Sequence, residues 1–189
     1  MKIHLLGPSC SGQSTLGKLI SQKYQIPYFD TDDIVWIETD PPFSIQRKNI
    51  EKMELLKEIL ENNNSLILGG AAIWSGNFIK NFLDLVIYKY VEQEIRIKRL
   101  LERYKKYGNR ILPGNDMYEN FNKLLEYMKG YETGGMEMRS KKQQLFWLED
   151  INCKIIKLEG EKTLEEELKI VTEEIEESIK NGKTSSNKQ

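Results

Sequence analysis

Between residues 7 and 15 the chain reads Gly7-Pro8-Ser9-Cys10-Ser11-Gly12-Gln13-Ser14-Thr15. The spacing is that of a phosphate-cradling loop, G-x-x-x-x-G-K-[ST], met at every fixed position except the lysine. Glycine lets the backbone curl so that successive N–H groups converge on phosphate oxygens, and a helix opening at the loop's end adds a partial positive charge. The apolar run Ile3-His4-Leu5-Leu6 precedes the loop, and Leu16, Leu19 and Ile20 follow at helical spacing. The loop therefore stands between a strand and a helix, the context such a motif needs. Gly7, Ser9, Ser11, Gly12, Gln13, Ser14 and Thr15 are the expected phosphate-binding residues, with Ser14 placed to hold a magnesium ion bridging the phosphates. Gln13 can donate hydrogen bonds but brings no charge, so binding is expected to survive the substitution better than catalysis does.

A second group of polar residues follows the next apolar run. Asp30, Asp32 and Asp33 come directly after Pro27-Tyr28-Phe29. A carboxylate there can orient a hydroxyl acceptor, take its proton, or hold magnesium, which makes Asp30 and Asp32 candidate catalytic residues and Asp32 a second candidate metal ligand. In extended backbone these two share a face, whereas Asp33 points elsewhere or caps the next helix. An Asp-rich turn at a strand end is the plainer alternative. Gly69-Gly70 after Leu66-Ile67-Leu68 either admits a substrate close to the backbone or makes an ordinary turn. Trp36 and Trp74 either line an acceptor pocket or pack at the sheet edge. His4, placed in the first strand by its pattern, reads as a core residue.

Arginine is unevenly spread. Five of the six arginines, Arg96, Arg99, Arg103, Arg110 and Arg139, fall between residues 96 and 139, and Arg47 is the sixth. The planar guanidinium fork suits phosphate better than lysine does. Spacings of three and four put Arg96, Arg99 and Arg103 on one helix face, pointing toward a segment broken by Gly108, Pro113 and Gly114. Such a segment can close as a lid and bring cations to a transferring phosphoryl group, so Arg103, Arg110 and Arg139 are candidate clamp residues.

The elements that would position these groups alternate between strand and helix. Strands are expected at 3–6, 27–29, 65–68, 84–91 and 154–158, and helices at 14–24, 45–61, 92–106, from about 117 onward, up to Glu149, and from Thr163. The last helix opens with the Thr163/Glu166 capping-box spacing. Alternation of this kind implies a three-layer α/β/α fold around a five-stranded parallel sheet. Ligands of such sheets gather at the carboxyl ends of the strands, where Gln13, Asp30, Asp32, Gly69 and Gly70 all fall. With 189 residues, one domain over 1–181 is expected, with a lid at about 107–140 and a disordered polar tail at 182–189.

The formal charge of −1 gives no strong field toward nucleic acid or membrane, and no apolar run approaches a membrane span. The first strand begins at once, which leaves no room for a signal peptide, and Cys10 and Cys153 suit a reducing compartment better than a disulfide framework. A cytoplasmic protein with a nucleotide and a small-molecule acceptor as partners is expected, its oligomeric state open.

The chain resembles the P-loop kinases of small metabolites and nucleoside monophosphates, adenylate kinase and shikimate kinase among them, over about residues 1–181. The resemblance rests on Gly7–Thr15, Tyr28-Phe29-Asp30-Thr31-Asp32, Ser65–Gly70 and the helix Ile95–Arg103 that leads into the lid of those kinases. Phe29–Trp36, Thr39–Phe43 and Tyr131–Ser140 are similar to a bacterial group labelled adenylate kinase-like or topology-modulation-like. The resemblance implies the P-loop NTPase fold with a helical lid, ATP and Mg2+ as cofactors, and γ-phosphoryl transfer to a nucleoside monophosphate or small hydroxylated metabolite. The alternative is a catalytically weak nucleotide binder with a regulatory role. Adenylate kinases carry the loop lysine and an arginine on the monophosphate-binding arm, for which only Arg47 is available here.

Overall fold

In the computed structural model, which describes residues 1–186 and side chains as far as residue 178, five parallel strands form one sheet in the order β2-β3-β1-β4-β5. The strands are β1 (Lys2–Leu6), β2 (Tyr28–Asp30), β3 (Leu66–Gly69), β4 (Leu85–Tyr90) and β5 (Lys154–Glu159). Parallel neighbours need crossovers, which α1 (Gln13–Tyr24), α3 (Asn49–Asn62), α4 (Gln93–Tyr104), α5 (Tyr118–Gly130) and α6 (Lys141–Glu149) help supply, and α7 (Leu164–Ser186) closes the chain. A short helix, α2 (Thr31–Val35), follows β2.

The pleat divides the core in two. Ile3, Leu5 and Ile87 point toward Leu16 and Ile20 of α1 and Val171 and Ile175 of α7. Leu6, Val86 and Tyr88 point the other way, against Leu56 and Leu60 of α3 and Trp147 and Leu148 of α6. This is the three-layer arrangement expected from the alternation. A third cluster, Leu100, Tyr104, Met117, Phe121 and Met128, forms a separate small core between α4 and α5. His4 is fully buried, shares a hydrogen bond with the Leu68 carbonyl and meets Trp147 edge-on. Burial lowers its pKa to about 4, so it is a neutral core residue.

Register aligns the strand ends. Leu5 lies opposite Gly69 and Asp30 opposite Gly69, so the chain leaves β1, β2 and β3 along one edge. That edge lies beside the point where β1 has β3 on one flank and β4 on the other, the switch point at which α/β sheets open a crevice.

Four local departures from the sequence pattern have physical causes. The helix expected from residue 45 starts at Asn49, because residues 35–47 are taken up by a strap in which Trp36 pairs with Gln46, Ile37 with Ile45 and Arg47 with Val35. Asp32 is helical and not extended; Asp30 caps α2 by accepting from the Asp32 N–H, whereas capping is one of the two roles expected of Asp33 from sequence. Gly69 is small because its neighbour is the Tyr28 hydroxyl. The tail expected to be disordered from Gly182 continues α7 as far as Ser186, since extending an existing helix costs little; residues 187–189 lie outside those described.

Candidate functional site

The loop after β1 turns sharply into α1. Gly12, the residue before the helix, has φ 96° and ψ 13°, a left-handed conformation that glycine adopts without strain. The first turn of α1 holds no acidic residue of its own, and the positive end of the helix dipole faces the loop. Gln13 does not reach outward as a lysine would. Its amide N–H2 folds back to the carbonyls of Gly7 (3.0 Å) and Pro8 (3.1 Å), and its Oε1 is buried with no partner. Two carbonyl acceptors require the amide nitrogen on their side, which fixes the orientation. The Gly7 carbonyl also accepts from Gln144 of α6 at 3.1 Å, and Gln144 accepts from the Tyr131 hydroxyl, itself 3.2 Å from that of Tyr88. The loop is therefore braced by buried amides and phenols.

The strand edge brings Asp30 against the helix start. Its Oδ2 accepts from Ser14 Oγ (3.1 Å) and Tyr28 Oη (3.0 Å), and its Oδ1 caps α2. Asp32, in the first turn of α2, stands free beside it. Water reaches Asp32, but the cleft walls surround it. The resulting desolvation, with the Asp30 charge, raises its carboxyl above the usual carboxylate range, while Arg139 and Arg103 act in the opposite sense. Cys10 sits in the loop with φ 63°, and burial holds its thiol above its ordinary pKa despite Arg103, Arg96 and Arg99.

These groups line one cleft of about 270 Å³: Gly7, Ser9, Gly12, Gln13, Ser14 and Thr15 on the loop, Asp30 and Asp32 on one wall, Gly70 and Ala71 beyond β3, and Arg99, Arg103 and Arg139 opposite. Arg139 donates to Ser9 Oγ (3.1 Å) and to the Tyr127 hydroxyl (2.7 Å), and its guanidinium lies 4.6 Å from the Tyr127 ring centroid. Arg99 hangs over the loop carbonyls of Cys10 and Ser11 at 3.4 Å.

Not every candidate gathers there. Arg110 does not line the cleft; it is bonded to Asp116 and, at 2.5 Å, to Asp40 of the strap, so it ties the segment between α4 and α5 to the strap. Asn120 and Ser44 make a second contact between the same parts at 3.4 Å. Arg47 is consumed locally: Nη1 donates to the carbonyls of Asp33 (2.7 Å), Ile34 (3.2 Å) and Trp36 (2.6 Å) at the end of α2. Arg96, expected on the same face as Arg99 and Arg103, is fully buried. Its Nε donates to the Val91 carbonyl (2.7 Å), its Nη2 pairs with Glu132, and it packs against the Tyr131 ring. Neither Trp36, which packs on Phe43, nor Trp74 lines the cleft. Ser11 is buried inside the loop with its hydroxyl unpartnered.

Sequence reasoning passed over Lys89 and its partner Glu167. Both are buried behind the loop, with side-chain exposures of 5% and 2%, and they form an ion pair. The available signal was a lone charge at the carboxyl end of the otherwise apolar strand Leu85–Tyr88.

No protein-family model matches the chain. It is 35% identical over 165 residues to the uncharacterized protein YqaC of Bacillus subtilis (strain 168), covering 87% of this chain and 91% of that protein. It is 27% identical over 152 residues to the shikimate kinase of Aquifex aeolicus, covering 75% and 88% respectively. The crystal structure of the Aquifex aeolicus shikimate kinase shares the fold with a TM-score of 0.54 at 21% identity, over 95% of this chain and 98% of that one. The fold is that of the P-loop kinases. The chain belongs to the P-loop nucleoside monophosphate and shikimate kinase-like family. Among the described residues no helix is long and apolar enough to cross a membrane.

Proposed function

We propose that the chain transfers the γ-phosphoryl group of Mg-ATP to a nucleoside monophosphate or a small hydroxylated metabolite. One observation carries this reading: the phosphate loop, two carboxylates and three arginines share a single cleft at the switch point of the sheet. The residues fit both absent groups. The loop at a helix N-terminus suits an anion, and the oxygen set of Ser14, Asp30 and Asp32 suits a hard divalent cation. The bound ion would supply neutralisation of charge on the phosphate oxygens.

Where the acceptor is a hydroxyl, Asp32 accepts its proton as the oxygen bonds to the γ-phosphorus and the bond to the leaving ADP oxygen breaks; a monophosphate acceptor attacks as its anion and gives up no proton. The raised pKa of Asp32 makes it a better proton acceptor than an ordinary aspartate. Asp30, already accepting three hydrogen bonds, orients the helix start. Arg103 and Arg139 face the charge that accumulates on the transferring group, and the lid over them excludes water.

A second reading has its own observation. Because Gln13 is folded onto loop carbonyls, the loop aims no side-chain cation at the phosphates, which favours a nucleotide binder with little turnover. The test is transfer from γ-labelled Mg-ATP to a pool of nucleoside monophosphates, nucleosides and hydroxylated metabolites, with calorimetry of ATP binding on the same sample. A labelled acceptor supports the kinase reading, binding without transfer supports the second, and no binding removes both.

A further inference from the structure

The positive charge lost at position 13 has a counterpart behind the loop. Lys89 sits one residue before the end of β4, where Leu85 and Ile87 of the same strand face point into the α1/α7 core. Strand alternation would put Lys89 in that same apolar layer, a costly place for an ammonium group. Glu167, from the first turns of α7, meets it there, and together they are almost wholly removed from water. A pair so buried stabilises a fold little by comparison with apolar residues of similar volume, so its presence calls for another explanation.

The explanation is where the lysine lies. The loop is pressed against it at both of its glycines. A Cβ at Gly7 would collide with the Lys89 carbonyl oxygen, and a Cβ at Gly12 would stand 3.1 Å from Lys89 Cε and 3.9 Å from Lys89 Nζ. Arg99 Nη1 lies 3.9 Å from that same Cβ position at Gly12. Gly12 is the residue immediately before Gln13 and the N-cap of α1. Two cations thus stand close to the residue at which the loop enters α1. One of them is held immobile by a buried carboxylate, while Arg99 is exposed and reaches its own carboxylate, Glu161, only at 4.0 Å.

We propose that Lys89, fixed by Glu167, is the relocated charge of this phosphate loop: a positioning residue that holds Gly12 in place and returns to the loop, from behind, the positive potential that Gln13 does not provide. This rests on the reading of the cleft as a nucleotide site. Lys89 does not line the cleft and makes no contact with a ligand there. It acts through the loop backbone, as a dipole whose positive end abuts Gly12 and whose negative end, Glu167, is buried in α7.

The charge reading differs from a merely structural one in how Lys89 and Gln13 depend on each other. The measurement is the Mg-ATP dissociation constant, by calorimetry, of the full chain and of four variants: Gln13→Lys, the charge-neutral pair Lys89→Met/Glu167→Gln, that pair combined with Gln13→Lys, and Lys89→Arg. The neutral pair leaves no single buried charge behind. It is expected to weaken ATP about tenfold, the size of one charge-assisted contact, and adding Gln13→Lys to it is expected to recover most of that loss. In the unaltered background the same substitution, arriving where two cations already stand, gains clearly less. Lys89→Arg keeps the affinity within about threefold. Equal factors for Gln13→Lys in the two backgrounds overturn the proposal, since additivity means that the two positions do not share a task. Where the neutral pair does not fold, Gln13→Lys in the unaltered chain still decides: a gain of about a hundredfold shows a loop still lacking its charge and overturns the proposal, and a gain below about tenfold supports it. No ATP binding by the unaltered chain removes the nucleotide site itself, whereas binding with additive substitutions removes only the role of Lys89.

Discussion

Arg96 tests the division of the arginine cluster into structural and phosphate-facing members. Replacing it with alanine removes the bond to the Val91 carbonyl and the pair with Glu132, and empties the space against Tyr131. Hydrogen bonds to charged groups contribute about 1.5–3 kcal/mol each, and breaking a buried pair costs about 3–5 kcal/mol because a charge is left alone. Two features reduce that figure. Arg96 Nη1 is already buried without a partner, and the Glu132 side chain, 24% exposed, can be partly rehydrated once Arg96 is gone. A net loss of about 3 kcal/mol follows, which for a chain of this size lowers Tm by about 6–12 °C. Thermal unfolding followed by circular dichroism measures it, and calorimetry at 15 °C, below the transition, is expected to find Mg-ATP affinity within about threefold of the parent. Arg96→Met combined with Glu132→Gln is expected to restore much of the stability, since no charge is then stranded. A Tm within about 2 °C of the parent together with a tenfold loss of ATP affinity would refute the assignment, and would return Arg96 to the anion-facing group.

Arg103→Ala is expected to slow transfer by about a hundredfold or more while leaving ATP affinity within about threefold; an equal loss of both would make Arg103 a binding residue. Arg110→Ala, Asp40→Ala and the double variant are expected to slow transfer to the same degree, because one contact to the strap is broken in each, and additive losses would show that Arg110 acts elsewhere. Asp32→Asn is expected to abolish transfer and yet stabilise the fold at neutral pH. The folded carboxyl holds its proton more tightly than the unfolded one, so its ionisation opposes folding above the folded-state pKa, and this cost disappears as pH falls through that value toward the ordinary carboxylate pKa. Because water reaches the group the gain is small, and a lower Tm for the variant at pH 7 would count against the raised pKa. Cys10, kept as a thiol by burial, is expected to react slowly with iodoacetamide at pH 7 and more slowly still with Mg-ATP present; rapid alkylation unaffected by ATP would place it outside the site.

What could be read from the chain, and what could not, follows from the range over which each signal acts. The loop, the five strands and the convergence of Asp30 and Asp32 are consequences of local patterning and parallel topology, and they appear where spacing puts them. Helical spacing also put Arg96, Arg99 and Arg103 on one face, but a face of α4 is not uniform along its length. At Arg96 it abuts Glu132 and Tyr131, and one turn later it opens onto the loop. Arg47 was the one arginine free for the arm until the strap closed and set three carbonyls of α2 within its reach. In both cases the partner is distant in sequence or belongs to an irregular segment, and residue type says nothing about it. Gln13 shows the converse. Its chemistry predicted a missing charge, and the fold keeps that vacancy by turning the amide inward. The compensation, if it is to come without a cleft-facing cation on the loop, has to arrive from an element that the loop touches. Lys89 is such a residue, and only the register of β4 against β1 and the docking of α7 bring its charge there.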